Sequence, residues 1–77
     1  MDRIKPGRYQ HFKGKFYEVI GIATDSETLE EMVVYKALYE DPKFGKDALW
    51  VRPRKSFMET VTIDERKLPR FMFISKK

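Results

Sequence analysis

Residues 28–40, TLEEMVVYKALYE, decide the fold. As a helix, Thr28 would cap the first turn with Glu31 three residues on, the spacing of a capping box. Leu29, Met32, Val33, Lys36 and Ala37 would then share one face, which Lys36 interrupts. As a strand, Met32, Val34 and Leu38 alternate with Val33, Tyr35, Ala37 and Tyr39. The run Val33-Val34-Tyr35 favours the strand, because β-branched and aromatic side chains lose rotamer freedom in a helix. The helix stays open as the alternative, and it would overturn an all-β domain.

Working outward, turn signals cut the rest of the chain into short pieces. Pro6-Gly7, Lys13-Gly14-Lys15, the polar break Asp25 to Thr28, the loop Asp41 to Asp47, Pro53 and Pro69 mark the stops. Between them lie GRYQHF, FYEVIGIAT, ALWVRP, SFMETVTI and RFMFISKK, rich in residues that suit a pleated, half-buried surface. Residues 54–58, after Pro53, suit one short helical turn. Five or six short strands must curl or pack to hide one face and their edges. Gly21, within FYEVIGIAT, suits a bend or bulge where a sheet turns a corner. The expected fold is mainly β: residues 1–77 forming a single small SH3-like β-barrel.

A 77-residue chain has room for one core, burying roughly 60% of the surface its unfolded form exposes. Hydrophobic residues at 42% and charged residues at 36% fit a globular chain rather than a disordered one. Cysteine is absent, so disulfides, thiolate metal sites and cysteine nucleophiles are excluded together. No apolar run approaches the roughly 18–20 residues of a membrane helix, and MDRIKPGRY does not read as a secretory signal. The expectation is a cytoplasmic protein with no membrane partner. The net charge of +4 is segregated: residues 1–17 carry +4, residues 18–41 carry −6 and residues 42–77 carry +6.

Few residues form a chemical constellation. The glycines are too dispersed for a phosphate loop, and zinc-type spacing is absent. Asp25, Glu27, Glu30 and Glu31 lack the alternating ligands and central glycine of a calcium loop. They read as a solvated turn in which Ser26 and Thr28 bond to the backbone. No metal or cofactor is expected. His11, the single histidine, would share a strand face with Tyr9 and Lys13, but no serine sits in a nucleophile motif to pair with it. Trp50 and Arg52 share the other informative face. If Leu49 and Val51 enter the core, Trp50 and Arg52 form an aromatic surface beside a guanidinium, able to stack a ring and grip an anion. The opposite packing buries Trp50 and pairs Arg52 with Glu18 or Glu59. Arg70, between Pro69 and Phe71, is a second candidate anion contact.

The strings GRYQHFKGKFYEVIGIA, SETLEEMVVYKALY, LWVRP, FMETV and PRF, in this order and spacing, resemble the small bacterial family catalogued as domain of unknown function 1653. The resemblance runs from about Pro6 to Phe71. It implies a β-rich fold, supports the strand reading of residues 31–39, and carries no assigned activity. Family members often have a histidine before Ser-Glu-Thr, where this chain has Asp25.

Three functions are compatible with these residues. The foremost is a non-enzymatic binding module for nucleic acid or another anionic ligand, using Tyr9, His11, Lys13, Trp50, Arg52 and Arg70. The alternative is a protein partner or a homodimer, with Tyr9, Tyr35, Tyr39 and Trp50 lining a peptide groove. An enzyme or small-ligand site using His11, Glu18 and Arg52 ranks last, because so small a barrel leaves little room for a pocket of roughly 300–1,000 Å³.

Overall fold

The decisive segment is a strand. In the computed structural model, which describes residues 4–76, Glu31–Ala37 (β3) runs extended with Val33, Tyr35 and Ala37 buried and Met32, Val34 and Lys36 half-buried. The residues that imitate a capping box build a hairpin turn instead. Asp25 Oδ1 accepts the N–H groups of Glu27 (2.8 Å) and Thr28 (3.1 Å), and Thr28 Oγ1 accepts that of Glu30 (3.2 Å). Leu29 takes a left-handed φ of 63°, which reverses the chain. The acidic cluster is therefore a side-chain-bonded turn, with Asp25 and Thr28 supplying the bonds.

Gly7–His11 (β1), Phe16–Thr24 (β2) and β3 follow as antiparallel neighbours. Two short strands, Glu40–Asp41 (β4) and Gly45–Lys46 (β5), form a small hairpin whose turn is held by Asp41 Oδ1 accepting from Lys43 and Phe44. Leu49–Pro53 (β6) then returns to pair with β3. Arg54–Phe57 (α1) is the helical turn expected after Pro53, one residue shorter than the sequence suggested. Thr60–Ile63 (β7) and Arg66–Pro69 (β8) form a second hairpin. Its two turn residues, Asp64 and Glu65, both have positive φ, as a tight two-residue turn requires. Phe71–Ser75 (β9) closes the chain against β1.

The main sheet has the order β6-β3-β2-β1-β9 and is antiparallel throughout. Its pairing register shifts between Val19 and Gly21, where the sequence placed a bulge, and again between Arg8 and Tyr9. Irregularities of this kind bend a strand and increase its twist, which lets the sheet wrap its inner face. The closed barrel is not formed. Among the described residues β6 and β9 share no ladder, so the structure is a five-stranded antiparallel sheet with one short helical turn.

The physical reason is that a side chain, rather than a strand pair, covers the inner face. Phe57, carried by α1, is buried and stacks on Phe71 of β9 with ring centroids 4.2 Å apart and planes at 4°. It also meets Tyr9 of β1 and Tyr35 of β3 edge-on, at 5.4 and 5.6 Å. Tyr9, Val19, Val33, Tyr35, Phe57 and Phe71 make one core, with Ile4, Tyr17 and Trp50 packed around it. Replacing Phe57 by alanine is expected to cost about 3–5 kcal/mol, a large part of what a domain of this size possesses. Urea unfolding followed by tryptophan fluorescence checks this. The exposed Leu49→Ala should move the midpoint little, by under about 0.5 kcal/mol.

Candidate functional site

Strand phase places the candidate residues. Pairings His11↔Phe71, Tyr9↔Tyr17, Tyr17↔Ala37, Tyr35↔Trp50 and Val33↔Arg52 put these side chains on the concave face. Leu49 and Val51 point the other way and are 65% and 61% exposed. The orientation that would have made Trp50 and Arg52 an outward platform is thus not adopted. Both are half-buried on the inner side, because β6 is an edge strand whose inner residues complete the aromatic core.

Arg52 does not take the carboxylate partner that such packing suggested. Glu18 lies on the outer face with Lys36, Nζ to Oε1 3.5 Å, and Glu59 takes Arg70, Nη2 to Oε1 2.8 Å. Arg52 instead donates from Nη1 to Ser56 Oγ (2.9 Å) and from Nε toward Tyr35 Oη (3.4 Å). Its guanidinium lies 5.8 Å from the Phe71 ring centroid. A cation bonded to neutral hydroxyls and set over an aromatic face keeps its full charge available to an incoming anion.

His11 sits on the same face, edge-on to Phe71 (4.9 Å) and close to Phe12 (4.5 Å). Its Nδ1 accepts the Lys13 N–H at 3.1 Å, so in the neutral ring Nε2 carries the proton and is the donor. Burial first, then the charges of Arg52, Arg70 and Lys13, hold its pKa below the ordinary 6.5. Tyr17 lies beside it, hydrogen-bonded to Tyr39 between hydroxyls 2.8 Å apart. Burial and that bond push the Tyr17 phenol far above its usual range, so it stays neutral. Lys15 Nζ stands 4.5 Å from the Tyr39 ring centroid and extends the positive rim.

The other expected residues divide. Tyr9 belongs to the core: it is 7% exposed and its hydroxyl donates to the Lys5 carbonyl at 2.8 Å. Lys13 is exposed, with Nζ 5.9 Å from the Phe12 ring centroid. Arg70 is half-buried and tied to Glu59, and its Nε is buried without a hydrogen-bond partner. Trp50 packs edge-on against Phe44 at 5.0 Å, and its buried Nε1 also lacks a partner. The structure therefore brings together His11, Trp50 and Arg52 on one face, and leaves Tyr9 beneath it.

Sequence reading missed Tyr17, Ser56 and Phe71. Tyr17 and Phe71 follow once the strand phase is known, and Ser56 lies one helical turn past Arg52. Among the described residues, no three of His, Asp and Glu gather where they could hold a metal, and no helix is long and apolar enough to cross a membrane.

The position of His11 has a measurable consequence. The unfolded chain takes up this proton near pH 6.5, and the folded chain does so only at lower pH. Between the two values the unfolded state binds more protons, so stability is intact above about pH 6.5 and falls as pH drops toward the folded value. An NMR titration of the His11 ring should give a midpoint below 6.5, and His11→Gln should remove this part of the acid-side decline. A midpoint at or above the ordinary value would contradict the cationic surroundings described here.

Residues 7–73 match the family model described as Protein of unknown function (DUF1653). A crystal structure of a DUF1653 protein from Bordetella bronchiseptica is similar, with a TM-score of 0.83 and 34% sequence identity over 92% of this chain and 87% of that one. No curated protein matches the chain. With the concave aromatic sheet in place and the match covering nearly its whole length, the chain belongs to the DUF1653 family.

Proposed function

We propose that this domain is a non-enzymatic binding module for an anionic ligand that also carries a flat ring, with single-stranded nucleic acid foremost. The observation that carries the reading is Arg52: a guanidinium over Phe71, bonded only to hydroxyls among the described residues, with His11 edge-on to the same Phe71 ring. Arg52 and Lys13 supply charge for a phosphate, and Trp50, Tyr39 and Phe12 supply half-buried ring surface at the rim. Stacking on such rings tolerates any base, while backbone phosphates answer to the cations. The net charge of +4 favours the approach of a polyanion. The curl of the sheet under its helical turn supports reading the fold as an open relative of the SH3-like barrel.

The test is an amide-shift titration of labelled protein with mixed single-stranded oligonucleotides at about 50 and 200 mM salt. Saturable shifts at His11, Trp50 and Arg52 that weaken with salt are expected. Arg52→Gln should weaken binding at both salts and lower the slope of log affinity against log salt by about 0.7, one phosphate contact on a single strand. Shifts confined to Lys76, or a slope unchanged in the variant, would remove Arg52 from the site.

A further inference from the structure

The sheet has two edges, and β9 is the one flanked by a groove. Ile4, Tyr9, Phe57, Met58, Phe71 and Phe73 are among the residues that line a space of about 290 Å³. The hydrogen bond from the Phe12 N–H to the Arg70 carbonyl (3.0 Å) makes His11↔Phe71 a pair that does not bond to each other. Met72 therefore faces β1, while the N–H and C=O groups of Phe71 and Phe73 face outward along the groove. Among the described residues, no backbone partner outside the sheet ladders meets either one. An edge strand with free donors and acceptors, beside an apolar trough walled by a helical turn, is the arrangement on which an extended chain adds as a further strand.

The charge around the trough selects the occupant. Lys5 Nζ lies 5.6 Å from the Phe73 ring centroid, and Lys76 follows at the same end, its Cα close beside Gly7. Among the described residues no carboxylate lines the groove, and Glu59, next to Met58, is held by Arg70. We propose that the β9 edge binds an extended peptide segment with alternating apolar residues and carboxylates at the end that meets Lys5 and Lys76. One apolar side chain enters between Phe57 and Phe73, and the peptide backbone pairs with Phe71 and Phe73. The two sites share Phe71 but use different parts of it, its outward backbone groups here and its ring under Arg52, so either can fail without the other.

The probe is a capped hexapeptide, acetyl-Val-Tyr-Val-Ile-Glu-Asp-amide, titrated into the labelled full chain. Saturable shifts at Met58, Phe71 and Phe73 are expected, with slower hydrogen exchange at the Phe71 and Phe73 amides, while the Trp50 and Arg52 amides on the opposite edge strand stay unmoved. A peptide N-methylated at alternate residues, on the face turned to β9, should bind at least about tenfold more weakly, because the paired N–H groups are gone. Lys5→Glu, an exposed change that leaves the core intact, should weaken the acidic peptide several-fold and spare a version with Lys-Lys at its end. Equal binding of the methylated peptide, shifts centred on Arg52, or no shift at about 1 mM peptide would each overturn the proposal. So would concentration-dependent dimerisation that protects the β9 amides, since a second copy would then be the occupant.

Discussion

The face-to-face stack of Phe57 on Phe71 is the contact on which the rest depends. A five-stranded sheet in so short a chain has one face to bury and too few residues to build a second layer. The protein covers that face with one aromatic ring on a four-residue helical turn. The ring touches strands from both halves of the sheet, β3 as well as β1 and β9. It therefore fixes the curvature of the sheet as well as excluding water. Pro53 makes this possible, because it ends β6 and starts the turn at a set backbone angle.

Curvature in turn creates the electrostatics of the inner face. Acidic residues collect in the hairpin turn at Asp25 to Glu30 and on the outer face, where Glu18 meets Lys36. The concave side keeps Arg52 and His11 among rings. An aromatic core offers no carboxylate, so the hydroxyls of Tyr35 and Ser56 are what Arg52 finds. The same hydroxyls hold its guanidinium over Phe71, 5.8 Å from the ring centroid.

The strands and the short turn were legible because alternation and Pro53 are local signals. Val33-Val34-Tyr35 outweighed the capping-box spacing at Thr28, and the bulge at Gly21 was marked by the glycine itself. Closure was not legible, since whether β6 meets β9 depends on the lateral fit of distant strands. The inward phase of Trp50 and Arg52 was equally hidden. Leu49-Trp50-Val51-Arg52 alternates acceptably in either direction, and only pairing with Tyr35 and Val33 decides it. Tyr9 shows the converse error: a residue next to basic neighbours read as surface, while its phase opposite Tyr17 takes it into the core.

The pairing of β1 with β9 has a consequence for how the molecule is made. The strand nearest the start of the chain has, on one side, no partner until the last strand exists. Phe57 likewise waits for Phe71 before its stack can form. A chain emerging from its N-terminal end can assemble the β2–β3 hairpin early, since that pairing closes only a short loop. The completed sheet, however, is a late and all-or-none event, because its outermost contact joins residues at opposite ends of the sequence. Until β9 arrives, the aromatic face of Tyr9, Tyr35 and Phe57 stands open, and folding speed becomes the protection against self-association.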